Sequence, residues 1–135
     1  MTIEMQPIGF IRSPYKTREP IPSQGMYAPE TQAVIEMLPA FKDGIRDILP
    51  GTSGVVLFYF HQSSGYKLLM VPRWGTEETG VFSTRSPNRP NGIGMSVVKF
   101  VSNDGTNLTF EGVDMLDGTP VLDIKPYVKD NNEAK

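Results

Sequence analysis

At 135 residues and 15.0 kDa, the chain has the size of one domain built around one core. Its 39% hydrophobic and 21% charged residues are those of a soluble globular protein, and no apolar run approaches the roughly 18 residues of a membrane span. A net charge of −2, no cysteine and one histidine exclude disulfides, a thiolate nucleophile, cysteine-held clusters, a His-rich metal site in one subunit and a general nucleic-acid coat protein.

The N-terminus, Met1-Thr2-Ile3-Glu4-Met5, has neither a basic region nor an apolar run, so no secretory signal is expected and the predicted location is cytoplasmic. Residues 7–12 read as a first strand entering a Ser13-Pro14 turn. Residues 31–38 could be strand or helix; Val34 and Ile35 between Pro29 and Pro39 favour strand. Ala40 to Leu49 is the one predicted helix, with Phe41, Ile45, Ile48 and Leu49 at helical spacing and Pro50-Gly51 as a stop. Residues 55–60, Val-Val-Leu-Phe-Tyr-Phe, are the strongest strand and read as buried on both faces. Further strands are expected at 67–72, 93–101 and 107–115, the last two joined by an Asp104-Gly105 hairpin turn. Successive strands without alternating long helices predict a mainly β fold, a small antiparallel β-barrel with one short helix and long loops. Closure would protect its edges. Residues 1–128 form the single expected domain, and 129–135 a polar C-terminal tail.

Two loops carry the chemistry. In Phe82 to Gly94, prolines at 87 and 90 fix φ around Arg89 and push Ser86 and Arg89 towards extended geometry, while Gly92 and Gly94 allow positive φ or close approach. Such a stiff loop, with two arginines and two asparagines, suits an anionic or heteroaromatic ligand. Gly92-Ile93-Gly94 is not a dinucleotide fingerprint, because the third glycine and the βαβ unit are missing. Asp117-Gly118-Thr119-Pro120 is a turn by its chemistry, followed by Val121-Leu122-Asp123-Ile124-Lys125. That strand is expected to put Asp123 and Lys125 on one face and the apolar residues on the other, either as a plain ion-paired hairpin or as part of a site. His61, at a strand end, reads equally as a structural cap or a ligand contact.

Together these segments resemble the TsaA/TrmO family of S-adenosylmethionine-dependent tRNA methyltransferases, in its short archaeal-type form. The matching pieces are Pro7 to Lys16, Phe82 to Ser96 and Asp114 to Tyr127, with Pro22-Ser23-Gln24 and Phe60-His61-Gln62 at the family's cofactor-contacting stretches. The family commonly has proline where Gly92 stands. The resemblance implies a small antiparallel barrel working as a homodimer, with the cofactor S-adenosylmethionine near the subunit interface and no metal. It implies methyl transfer to N6 of threonylcarbamoyladenosine beside the anticodon of tRNA. By resemblance, Pro22, Ser23, Gln24, His61, Gln62, Arg85, Met95, Asp117, Gly118, Thr119 and Pro120 contact the cofactor. Arg12, Lys16, Arg89 and Lys125 contact phosphate or the anticodon loop. Asp117, Asp123 and Tyr127 are candidates to take the proton from N6. Two competing functions are a non-catalytic S-adenosylmethionine-binding regulatory module and a β-barrel that binds RNA without catalysis.

Overall fold

The computed structural model describes residues 1–16 and 31–128. Its strands are β1 (Gly9–Arg12), β2 (Gln32–Met37), β3 (Ser53–Tyr59), β4 (Leu69–Met70), β5 (Thr79–Gly80), β6 (Ile93–Asn103), β7 (Asn107–Glu111) and β8 (Pro120–Pro126). Six of them close an antiparallel barrel in the order β1-β2-β7-β6-β3-β8, while β4 and β5 pair outside it. The predicted mainly β barrel is therefore the observed fold. Alternation along each strand fills it: Ala33, Ile35 and Met37 from β2, Val56 and Phe58 from β3, and Val98 and Phe100 from β6 all point inward.

Four expectations change in detail. Strand β3 is not buried on both faces: Val56 and Phe58 are buried, whereas Val55 and Leu57 are half-buried and Tyr59 is exposed. Its outer residues lie beside Ile93, Met95 and Val97 of β6, which makes an apolar stripe on the barrel exterior. Residues 67–72 contribute only the short β4, and β7 stops at Glu111 because Gly112 turns the chain at φ +87°. The helix expected over 40–49 is a 3-10 segment, Pro39–Ile45, followed by turns. Asn103 supplies the missing helical partners from β6, its Nδ2 donating to the carbonyls of Ile45 at 2.8 Å and Ile48 at 2.9 Å. Ile45 is buried and Leu49 exposed.

A register shift on β8 explains a pattern that simple alternation would get wrong. Leu57 faces Asp123 but Phe58 faces Val121, so Leu122 is an extra residue. The bulge lets Val121 and Ile124 both pack on the core, keeps Asp123 and Lys125 together, and leaves Leu122 lining a cavity on the rim. The Asp104-Gly105 turn is as expected. Asp104 Oδ1 accepts from the amides of Thr106 at 2.9 Å and Asn107 at 2.7 Å, and Gly105 sits at φ +90°. A Cβ at Gly105 would meet nothing, so Gly105→Ala adds backbone strain alone. Urea denaturation should register a loss of about 1–2 kcal/mol. Gly44→Ala, equally open and without positive φ, should be neutral or slightly stabilising.

Candidate functional site

One barrel rim collects segments distant in sequence. β1 ends there and runs into Ser13, β8 begins there, β3 leaves there for Phe60 and His61, and the Pro87–Gly92 loop enters β6 there. The Asp117–Pro120 turn is tied down at every residue before β8. Asp117 Oδ1 accepts from the amide of Ser13 at 2.9 Å, and the Asp117 amide donates to the Tyr15 carbonyl at 2.7 Å. The amide of Gly118 donates to Ile11 at 2.7 Å, and the Thr119 hydroxyl donates to Leu116 at 2.6 Å. Ser13, buried, donates its hydroxyl to the Met115 carbonyl at 2.7 Å and accepts the Tyr15 amide at 2.9 Å. Lys16 Nζ lies 3.0 Å from Asp117 Oδ2. The Ser13 amide, and then Lys16, hold the Asp117 carboxyl below its ordinary pKa. Gly118 adopts φ +83°, and a Cβ there would stand 3.8 Å from His61 Nε2. His61 and the turn, predicted to share a site, are neighbours.

Two concavities flank this turn. The smaller, about 430 Å³, is lined by Arg12, Lys16, Gln32, Val34, Thr109 and Asp117 among others. The larger, about 720 Å³, has aromatic walls in Tyr59, Phe60 and Tyr66, peptide walls at Pro90-Asn91-Gly92, and Pro120 and Leu122 from β8. Arg89 lines it too. Its Nη1 donates to the carbonyls of Thr84 at 2.9 Å and Ser86 at 3.0 Å, and its guanidinium lies 5.9 Å from the Phe82 ring centroid. Arg89 thus clasps its own loop around the larger cavity, a geometric role the sequence did not reveal. Gly92 does not have positive φ, and Gly94 serves close approach to Phe58 and Phe60.

The remaining predicted residues divide by position. Arg85 and Met95 meet on the outer β6 edge, Arg85 Nη1 donating to the Met95 carbonyl at 3.4 Å, and the Met95 side chain belongs to the apolar stripe. Asp123 pairs with Lys125 at 3.0 Å and accepts the Ile124 amide at 2.9 Å. Arg12 pairs with Glu36 at 2.8 Å. Gln62 follows His61 and is exposed. Tyr127, whose amide donates to the Ser53 carbonyl, marks the opposite end of the barrel from the Asp117 turn. At strand rise, that is on the order of 20 Å from Pro120. Pro22, Ser23 and Gln24 lie outside the described residues. Sequence reasoning missed the anchoring role of Ser13 and the aromatic wall of Tyr59, Phe60 and Tyr66. It also missed the Ser96 hydroxyl donating to Asp114 Oδ1 at 2.7 Å beneath the rim. The alternating placement of Ser96 among inward-facing residues of β6 was the available signal for that last pair.

Comparison with known proteins agrees with the fold. A protein of Archaeoglobus fulgidus named "Probable S-adenosyl-L-methionine-binding protein" is 46% identical over 127 residues, covering 94% of this chain and 34% of its own length. The tRNA (adenine(37)-N6)-methyltransferase of Mus musculus is 37% identical over 132 residues, covering 93% of this chain and 31% of its own. The crystal structure of TrmO from Pseudomonas aeruginosa superposes with a TM-score of 0.81 at 39% identity, covering all of this chain and 60% of that one. The chain therefore spans about a third of the length of those two relatives and three fifths of that solved structure. The family model for the tRNA-methyltransferase O N-terminal domain matches residues 10–133, and the chain belongs to that family.

Proposed function

We propose that this chain binds S-adenosylmethionine and transfers its methyl group to N6 of an adenosine in tRNA, the acceptor being the threonylcarbamoylated adenosine next to the anticodon. The observation that carries this reading is the convergence on one rim of Ser13, His61, the Pro87–Gly92 loop and the Asp117–Pro120 turn, beside two concavities. The names of the relatives supply the cofactor and the acceptor atom. A cavity of about 720 Å³ with aromatic walls and peptide groups suits a ligand carrying a nucleoside.

In the proposed step, the N6 lone pair attacks the methyl carbon as the carbon–sulfur bond breaks, and the bonding pair returns to sulfur. The products are the N6-methylated adenosine, S-adenosylhomocysteine and the proton lost from N6. A sulfonium is already an activated donor, so the protein's main task is in-line positioning. Both Asp117 oxygens are engaged and its carboxyl is held acidic, which suits an anchor of the rim better than a proton acceptor. Asp123 is likewise engaged, and Tyr127 lies far from the turn within one subunit. The proton is proposed to pass to water. Arg12, Lys16 and Lys125 serve as phosphate contacts, and Arg89 acts by shaping the cofactor loop. The proposed place of action is the cytoplasm.

A homodimer completes the proposal. Ile93, Met95 and Val97 are 38%, 44% and 50% exposed on a β6 face where polar residues would be expected, beside Val55 and Leu57. A second copy would cover that stripe and bring the Arg85–Met95 pair to an interface. Light scattering should give a dimer mass for the wild type and a monomer mass for Val97→Glu. A wild-type monomer at micromolar concentration refutes this part.

The central test is mass spectrometry of nucleosides from tRNA incubated with the protein and S-adenosylmethionine. A methylated threonylcarbamoyladenosine is expected. Cofactor binding without any methylated nucleoside would instead identify a non-catalytic binding module. Calorimetry should detect micromolar binding of both S-adenosylmethionine and S-adenosylhomocysteine that survives a chelator.

A further inference from the structure

Between β3 and β6 the chain leaves the barrel, and residues 63–92 return to regular pairing only at β4 and β5. On this excursion Trp74 is 75% exposed, Phe82 74% and Tyr66 55%. Aromatic rings this large are normally covered, because each holds more apolar area than most side chains. Each has a cation next to it, for Tyr66 and Trp74 along the chain and for Phe82 in space. Lys67 follows Tyr66, Arg73 precedes Trp74, and the Arg89 guanidinium covers one face of Phe82. Charge is also unevenly divided. Residues 63–92 contain Lys67, Arg73, Arg85 and Arg89 against Glu77 and Glu78, a net of +2, so a chain of net −2 carries −4 over the rest.

The contrast with the β3–β6 stripe decides the kind of partner. That stripe is largely aliphatic, with Val55, Leu57, Ile93 and Val97, and suits an apolar protein surface. The excursion sets flat rings beside positive charge, the combination that binds single-stranded nucleic acid by stacking bases while neutralising phosphates. It springs from the same rim, since Tyr66 and Arg89 line the larger cavity. We propose that residues 63–92 form a stacking platform for unpaired nucleotides of the RNA substrate, with Trp74 and Phe82 as the two principal base contacts. This rests on the reading of tRNA as the substrate.

Trp74 is the chain's one tryptophan, so its fluorescence reports directly on the platform. The full chain would be titrated with a short RNA hairpin bearing an unpaired loop and with a blunt RNA duplex of equal length. Anisotropy of end-labelled RNA would follow binding separately. Quenching is expected to saturate together with anisotropy for the hairpin and to be weak for the duplex. Trp74→Ala and Phe82→Ala should each weaken hairpin binding roughly tenfold, and Trp74→Ala should leave cofactor affinity and dimer mass unchanged. Hairpin binding without quenching, and with both variants at wild-type affinity, overturns the platform but leaves the tRNA reading intact. Loss of dimer mass in Trp74→Ala also overturns it, assigning the surface to self-association. A wild type that binds neither RNA and yields no methylated nucleoside overturns the platform and the tRNA reading together.

Discussion

Asp117→Ala is expected to destabilise the protein by about 3 kcal/mol and to abolish measurable cofactor binding, whereas Asp117→Asn should cost far less and keep most turnover. The alanine removes the acceptor for the Ser13 amide and the partner of Lys16. Leaving a partly buried amide unsatisfied costs about 1–3 kcal/mol. Loosening of the Tyr15 and Ile11 contacts across the turn adds to this. Asparagine keeps an acceptor oxygen for Ser13 and loses only the half-exposed ion pair, a contribution of about 0–1 kcal/mol. If Asp117 were the proton acceptor, asparagine would be as inactive as alanine. The pair of variants therefore separates an anchor from a base.

The same substitution has a pH signature. The folded-state pKa of Asp117 is depressed, first by the Ser13 amide and then by Lys16, so its ionised form is favoured by folding. Its contribution to stability is complete above the unfolded carboxyl's pKa, near 4, and is lost as pH falls through the lower folded value. Asp117→Asn should flatten part of the stability decline on the acid side of about pH 4 and leave the slope near neutrality unchanged. Asp104, depressed by the amides of Asn107 and Thr106, supplies a separate part of that slope at the other end of the barrel. Asp104→Asn should flatten its own share. An unchanged acid slope in Asp117→Asn would show that the hydrogen bond to Ser13 does not favour the carboxylate.

The barrel was legible in the sequence because its information is local. Period-two runs ending at glycine or proline needed no knowledge of partners, and Asp104-Gly105 declared its own turn. What escaped were features set by distant residues. The segment after Pro39 takes 3-10 form with its carbonyls held by Asn103, more than fifty positions away. β8 reads as simple alternation until its pairing with β3 puts a bulge at Leu122. The site shows the same division. The Asp-Gly-Thr-Pro turn forms as read because the motif is itself the structural unit, whereas its closeness to His61 is made by the pairing of β3 with β8. A guanidinium's target is a matter of geometry: Arg89, read as a free cation for phosphate, has one nitrogen on two carbonyls of its own loop. Strand direction is likewise invisible in a motif, so Tyr127 could be matched to the family and still stand at the opposite end of the barrel.

Gly94→Ala carries the second large effect, expected at about 3 kcal/mol of lost stability, at the upper end of ordinary overpacking. A Cβ on Gly94 would lie 2.5 Å from Phe58 Cε2 and Cζ and 2.9 Å from Phe60 Cζ, distances no side chain tolerates. Neither ring can swing aside cheaply. Phe58 is buried, and the two rings meet edge to face with centroids 5.3 Å apart. The missing side chain at Gly94 is thus the space in which the end of β3 packs, and β3 carries the chain on to His61. Gly80→Ala is the matched control, since Gly80 has φ −60° and open space around it, and it should be nearly neutral. A double variant, Gly94→Ala with Phe58→Leu, tests the cause, because the smaller side chain vacates the space the new methyl needs. Its loss should fall well short of the sum of the two single losses, a coupling of about 1–2 kcal/mol between residues in contact. Chemical denaturation of the four proteins measures this directly. Simple additivity would mean that the rings move aside freely and that Gly94 is required for some other reason, such as close approach of a ligand to the β6 backbone.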